Sequence, residues 1–352
     1  PDLPRGVAIL GAGAIGSLIA ARLLMRRVPV TLVGRPEGMR AVRERGLIYH
    51  RPRWRSVVLR DLDAVSNWGE LERTEIANIG LVILTTRVQD TLGAVAGLDG
   101  NVPAEVPLLV LQDGVGGAEL ARSRAGERPL LAGVTTLAAS QPQPGVVRGL
   151  GRRGGIALAP VTATPGLVRW TASLFADAGL PTRVCADYRG IAWSKLVLKL
   201  LGNAVPAIVG LPPRRVLADL ALCRLEVAAV REALAVMRAL AVAPVRLPGL
   251  PVPALAWGLE RLPLSILHRL LPHAVRSEGA DEPTPLQADL EMGRRESEVE
   301  YLNGAVVRAG RALGVAVPAN ALIYRTLAAM VEGTIPRDAY ARNPHGLLAP
   351  TR

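Results

Sequence analysis

The chain has 352 residues, half of them apolar, with 42 Lys+Arg against 30 Asp+Glu and a formal net charge of +12. One core usually stops growing near about 250–300 residues, so two domains suit it better than one. The arginines are scattered and aromatic residues make up only 3%, which argues against a nucleic-acid surface and leaves an anionic cofactor and substrate as the use of the charge. No uncharged apolar run reaches the roughly eighteen residues of a membrane span. His50, His268, His273 and His345 show no metal-ligand spacing with one another or with Cys185 and Cys223. The two cysteines, far apart in apolar surroundings, fit buried structural thiols of a reducing cytosol.

Arg5 followed by an apolar run superficially resembles a secretory signal, but the glycines in that run have a better explanation. Gly6-Val7-Ala8-Ile9-Leu10 fits a buried parallel strand and leads straight into Gly11-Ala12-Gly13-Ala14-Ile15-Gly16 and a helical stretch to Arg27. Gly11 permits a tight turn, Gly13 lets the backbone approach a pyrophosphate, and Gly16 lets helix pack closely on strand. Ala14 and Ile15 open the helix whose N-terminus faces the phosphates. A second strand, Val30-Thr31-Leu32-Val33, ends in Gly34-Arg35 and not in the acidic residue that binds a ribose 2′-hydroxyl. An arginine there pairs with a 2′-phosphate, so NADP(H) is expected over NAD(H); Glu37, two residues late, is the argument against.

A β-rich excursion follows, with residues 55–60 alternating as an exposed strand. Leu81-Val82-Ile83-Leu84-Thr85-Thr86 and Leu108-Leu109-Val110-Leu111-Gln112 are further buried strands, ending in Arg87 and in Asp113-Gly114-Val115-Gly116. Ligands of doubly wound sheets bind beyond the carboxyl ends of strands, which places both endings near the cofactor. Read blandly, Arg87 is a surface arginine and the second ending an ordinary turn. Residues 156–159 and 181–185 close the sheet, with a helix over 165–178 between them.

After Asp187 the pattern changes to long helical periods, so the expected division is a dinucleotide-binding domain over 1–186 and a helical domain over 187–340. The second begins with Trp193-Ser194-Lys195-Leu196-Val197-Leu198-Lys199-Leu200-Leu201-Gly202-Asn203. Lys195 and Lys199 are the only two lysines among 42 Lys+Arg residues. A guanidinium cannot release its proton near neutral pH; an ammonium can, when a second cation and apolar walls depress its pKa. On one continuous helix, residues 195, 199 and 203 share a face, which reads as a catalytic wall. The bland reading is a solvated helix that happens to carry lysines. A helix over 217–240 comes next, then eight prolines between Pro244 and Pro285, which allow only short amphipathic helices. This insert reads as a cap, a lid or an oligomer contact, such as that of a homodimer. One helix from Leu286 to Gly314, carrying Glu298 and Glu300, and another over 319–332 complete the chain.

Taken together and in this order, these motifs resemble ketopantoate reductase (2-dehydropantoate 2-reductase). The pieces are Gly11–Gly16, Leu111-Gln112-Asp113-Gly114-Val115-Gly116, Trp193-Ser194-Lys195-Leu196, Ser297-Glu298-Val299-Glu300-Tyr301-Leu302-Asn303-Gly304 and Gly314-Val315-Ala316-Val317-Pro318. The resemblance implies an α/β fold, a Rossmann-type doubly wound sheet followed by an all-helical domain. It also implies NADPH-dependent reduction of a small 2-oxo acid in pantothenate synthesis. By this likeness Lys195 matches the catalytic lysine, Asn203 the second helix asparagine, Glu298 the substrate-binding glutamate and Arg35 the 2′-phosphate contact. Four positions depart. Arg87 and Lys199 replace a lysine and the first helix asparagine, Asp113 replaces an asparagine beside cofactor and substrate, and the serine before the Glu298 helix becomes Pro285, or Thr284 one residue earlier. The competing readings are a related reductase of another 2-oxo or 3-oxo acid and a non-catalytic NADP-binding protein.

Overall fold

The computed structural model describes residues 6–51, 55–151, 154–274 and 284–348; Arg5, singled out above, and residues 275–283 of the proline-rich insert lie outside them. The chain forms two compact units. One comprises Pro1–Ala192 with Leu247–Leu250, the other Trp193–Arg246 with Pro251–Arg352.

The strands of the first unit are β1 (Gly6–Leu10), β2 (Val30–Val33), β3 (Leu47–His50), β4 (Val57–Leu59), β5 (Asp63–Val65), β6 (Ile79–Leu84), β7 (Leu108–Leu111), β8 (Leu130–Thr135), β9 (Ala139–Gln143), β10 (Val146–Gly149), β11 (Ile156–Pro160) and β12 (Thr182–Val184). Its helices are α1 (Ala14–Leu24), α2 (Pro36–Arg45), α3 (Arg73–Ala77), α4 (Thr91–Ala96), α5 (Gly117–Arg124) and α6 (Pro165–Asp177); α7 (Tyr188–Lys199) passes from the first unit into the second. Eight strands make one sheet in the order β12-β11-β8-β7-β6-β1-β2-β5. Neighbours run parallel except β11 against β8. Strands buried on both faces need no polar alternation. In β1, Val7 and Ile9 enter one apolar cluster with Leu18, Phe175 and Leu180, while Ala8 and Leu10 enter another with Val95, Leu98 and Ala121.

The β-rich excursion has a partner that the local pattern did not reveal. β3 and β4 join β9 and β10, about ninety residues later, in a four-stranded sheet ordered β4-β3-β10-β9. Helix α1 touches β1 and β2 on the large sheet and β3, β9 and β10 on the small one. Seven of its 11 residues are therefore buried, Ser17 among them.

The helices of the second unit are α8 (Ala204–Val209), α9 (Pro213–Ala218), α10 (Leu220–Ala239), α11 (Val252–Arg261), α12 (Leu264–Ala274), α13 (Pro285–Glu291), α14 (Asn303–Leu313) and α15 (Pro318–Glu332). Their core includes Val205, Ile208, Val216, Leu222, Ile323, Leu327 and Met330. Three expected continuities are broken. The 217–240 helix is divided at Asp219, whose carboxylate accepts the N–H groups of Ala221 and Leu222 at 3.0 Å each and starts α10. The 286–314 helix stops at Glu291, passes through Gly293 at φ +70°, and resumes at Asn303 after a 3-10 turn over Glu298–Tyr301. Third, Asn203 does not continue the lysine helix. α7 ends at Lys199 and Gly202 takes φ +67°. A helix running through would need a Pro206 N–H for the Gly202 carbonyl, and proline has none.

Candidate functional site

In the first unit the carboxyl ends of β1, β2, β6 and β7 are tied to one another. The Gly11 N–H donates to Val33 O at 2.9 Å and the Thr85 N–H to Leu10 O at 2.8 Å. Gly11 has φ +114°, and a Cβ there would lie 2.9 Å from the Thr85–Thr86 peptide; a Cβ on Gly16 would lie 1.9 Å from Gly11 O. No side chain fits at either position. Gly13 differs, because a Cβ there would meet nothing within 4 Å. Its glycine keeps one side of the turn open at the N-terminus of α1, where Ala14 and Ile15 form the first turn. This is a cradle in which a pyrophosphate can approach backbone N–H groups, and the residues present fit a bound dinucleotide.

The flanking strand ends add charge. Arg35 is the exposed N-terminal cap residue of α2 at the end of β2, with Glu37 exposed in the next turn. Arg87 is half-buried after β6, and Asp113 half-buried after β7, where the turn passes through Gly114 at φ +93° and Gly116 at φ +112°. Gln112 fixes both endings. Its buried amide donates to Thr86 O at 3.0 Å, Arg87 O at 3.2 Å and Thr91 Oγ1 at 3.0 Å. Gly11–Gly16, Arg35, Arg87 and Asp113 are thus brought to the carboxyl edge of the large sheet.

The second unit holds the lysines. Lys195 and Lys199 are half-buried on α7, four residues apart and so on one face. Between and around them Ser194, Leu196, Val197 and Leu200 are at most 2% exposed. Asn203 caps α8 and is 5% exposed; its carbonyl accepts from Thr284 Oγ1 at 3.1 Å, while its side-chain Oδ1 is buried without a partner among the described residues. Thr284, not Pro285, therefore supplies the hydroxyl at this place, and it also caps α13 by accepting the Gln287 N–H at 3.2 Å. Pro285 takes the first helical position.

Below the Gly202–Asn203 turn lies Glu226, which is fully buried on α10. Its carboxylate accepts the Gly202 N–H at 2.8 Å. Burial pushes its carboxyl up to about 8, against the opposing pull of that N–H. Glu298 is half-buried at the start of the 3-10 turn, which Ser297 caps by accepting the Val299 N–H at 3.3 Å. Its neighbour Glu300 is engaged elsewhere, accepting from Tyr324 Oη at 2.5 Å and pairing with Arg308.

Four polar residues at these places were not singled out in the sequence, and three of them, Ser17, Thr85 and Gln141, carry no local signal; the fourth is Glu226. Ser17 Oγ and Gln141 Nε2 both donate to Ala12 O, at 3.2 and 2.7 Å, and Thr85 Oγ1 donates to Gly11 O at 2.8 Å. Only the spacing of Glu226 within an apolar helix face hinted at burial.

Two family models cover most of the chain. The model for ketopantoate reductase PanE/ApbA matches residues 7–162, and that for its C-terminal part matches residues 187–331. The chain belongs to the ketopantoate reductase family. The 2-dehydropantoate 2-reductase of Halobacterium salinarum is 28% identical over 335 residues, covering 92% of this chain and 97% of the relative. That of Caulobacter vibrioides is 28% identical over 324 residues, covering 91% and 97%. A solved PanE/ApbA family ketopantoate reductase from Ralstonia eutropha superimposes with a TM-score of 0.78 at 27% identity, over 93% of this chain and 99% of that one. A D-mandelate dehydrogenase, solved with NADH and anilino(oxo)acetate, shares the fold at a TM-score of 0.76 and 19% identity, over 93% and 99%. The family's α/β sheet and helical C-terminal region are those described above.

Proposed function

We propose that this chain is an NADPH-dependent reductase of a small 2-oxo acid, with 2-dehydropantoate reduced to pantoate for pantothenate synthesis as the leading reaction. The observation that carries this reading is Lys195: one of only two lysines in the chain, it is held half-buried on α7 among buried apolar neighbours. Gly11, Gly13, Ala14, Ile15 and Gly16 would hold the pyrophosphate, Arg35 the 2′-phosphate, and Arg87 and Asp113 the cofactor from the adjoining strand ends. When bound in reduced form, the nicotinamide supplies two electrons and a hydrogen to the carbonyl carbon.

The rest is done by this chain's residues. Lys195 Nζ donates a proton to the carbonyl oxygen as negative charge develops there, completing the alcohol. Lys199, a second cation four residues away, favours loss of that proton and attracts the substrate carboxylate. Glu298 accepts a hydrogen bond from a substrate hydroxyl, and Asn203 and Asp113 orient the acid. Neither a nucleic acid nor a membrane partner is needed, and the free thiols Cys185 and Cys223 suit a reducing cytoplasm.

A second reading, a related reductase of another 2-oxo or 3-oxo acid, is favoured by the departures at Arg87, Asp113 and Lys199, and by Thr284 standing where the family resemblance places a serine. Initial rates with NADPH and NADH across a panel of such acids separate the two. Preferred turnover of ketopantoate supports the first and of another acid the second; dinucleotide binding without turnover of any acid leaves a non-catalytic binder.

A further inference from the structure

We infer that Gln141 is a positioning residue for the dinucleotide: with Ser17 it holds the Ala12 carbonyl so that the Gly13 N–H of the same peptide is aimed at the pyrophosphate. The inference rests on the cofactor part of the proposed function. In a planar trans peptide the carbonyl and the N–H point in opposite directions, so whatever fixes one aims the other. Ala12 O has two side-chain donors, Gln141 Nε2 at 2.7 Å and Ser17 Oγ at 3.2 Å, and those two groups are 3.5 Å apart. The carbonyls on either side are also held by the protein. Gly11 O accepts from Thr85 Oγ1 at 2.8 Å, and Gly13 O from the Ser17 N–H at 2.9 Å. Three successive carbonyls are thus turned inward, while Gly13 has nothing within 4 Å on the side where a Cβ would stand. Such a turn presents N–H groups to an anion before the anion arrives.

Gln141 is suited to this task. It lies on β9 of the small sheet, which touches α1, and it is followed by Pro142, which restricts it to extended backbone. Its amide is a neutral donor, so it orients the turn without drawing the phosphates to itself as a guanidinium would. The small sheet thereby gains a role in cofactor binding, since β9 is the strand that brings the donor to the turn.

The test is the dissociation constant for NADPH of the wild type, Gln141→Met and Gln141→Glu, measured by titration calorimetry, with the melting temperature of each ligand-free chain and KM and kcat recorded alongside. Gln141→Met keeps the bulk and removes the donor; Kd and KM for NADPH should rise about three- to tenfold, the worth of one hydrogen bond, with kcat and melting temperature little changed. Gln141→Glu sets a carboxylate against the carbonyl and should raise Kd further. Unchanged Kd in both variants, or a rise matched by an equivalent loss of ligand-free stability, overturns the positioning role alone. A wild type with no affinity for NADPH or NADH overturns the cofactor reading and this inference with it.

Discussion

The glycine turn of the first unit and the Gly202–Asn203 turn of the second both end an apolar element in a left-handed glycine, yet they are built in different ways. The first is shaped by what is absent: side chains at Gly11 and Gly16 would collide with backbone, and none of its glycines carries charge. The second is shaped by buried polar groups, with Glu226 under the Gly202 N–H, Thr284 on the Asn203 carbonyl and two lysines on the preceding helix. A backbone cradle works at any pH and recognises a fixed phosphate geometry. A turn supported by a buried acid responds to pH, because burial raises that carboxyl.

The largest effect that tests this contrast is at Lys195. Lys195→Arg keeps the charge and removes the transferable proton, so kcat should fall by roughly a hundred- to ten-thousandfold, as for a lost general acid. NADPH affinity, which the proposed function assigns to the other turn, should persist. Near-normal kcat, with chemistry shown to be rate-limiting, would remove Lys195 from the reaction.

Next in size is the pH response of Glu226. Its folded carboxyl titrates near about 8, above the ordinary 4.5. Between those values the folded chain binds more protons than the unfolded one, so this group's stabilisation is complete below about 4.5 and is lost as pH rises toward 8. The slope can approach about 1.4 kcal/mol per pH unit. Glu226→Gln retains an acceptor for Gly202 and abolishes the titration. Urea unfolding at several pH values in this window should show a falling stability for the wild type and a flatter profile for the variant. Equal slopes would mean that Glu226 is already ionised in the fold.

How much of each turn can be read from the sequence follows from the same contrast. The strand–glycine–helix pattern needed only local sterics, and β1, α1, β2, β6 and β7 fall where the apolar runs place them. In the second unit, Lys195 and Lys199 could be placed on a helix but Asn203 could not be kept on it, although Pro206 already forbade the continuation. Glu298 was legible as a residue and misplaced as structure, on a 3-10 turn and not within an α-helix. Gln141, Thr284 and Glu226 act through partners 129, 81 and 24 residues away. No window of local periodicity holds both members of the first two pairs.

Returning to the first turn, Arg35 is exposed at the end of β2, where it can meet a 2′-phosphate with both partners partly hydrated. Arg35→Ala should therefore weaken NADPH by about tenfold, the worth of a charge-assisted hydrogen bond at a surface, and leave NADH almost unchanged. An equal loss for both cofactors would take Arg35 out of the site. It would also leave dinucleotide affinity in the first unit to the backbone cradle and the strand ends at Arg87 and Asp113.

The smallest effect concerns Lys199, where two roles compete. It is the last residue of α7, and a cation there complements the partial negative charge of a helix C-terminus whatever the substrate. If that were its whole use, Lys199→Arg would be silent. If instead its amine meets the substrate carboxylate, the longer planar guanidinium alters that contact without removing the charge. KM for the acid should then rise several-fold while kcat and NADPH affinity stay within about twofold. Lys199→Asn distinguishes the two further, because it loses the cation and restores the residue type that the family resemblance places here. A shift of the relative kcat/KM toward ketopantoate in that variant would make position 199 a determinant of which 2-oxo acid is taken. A loss of thermal stability with no change in either KM would assign the lysine to the helix end alone.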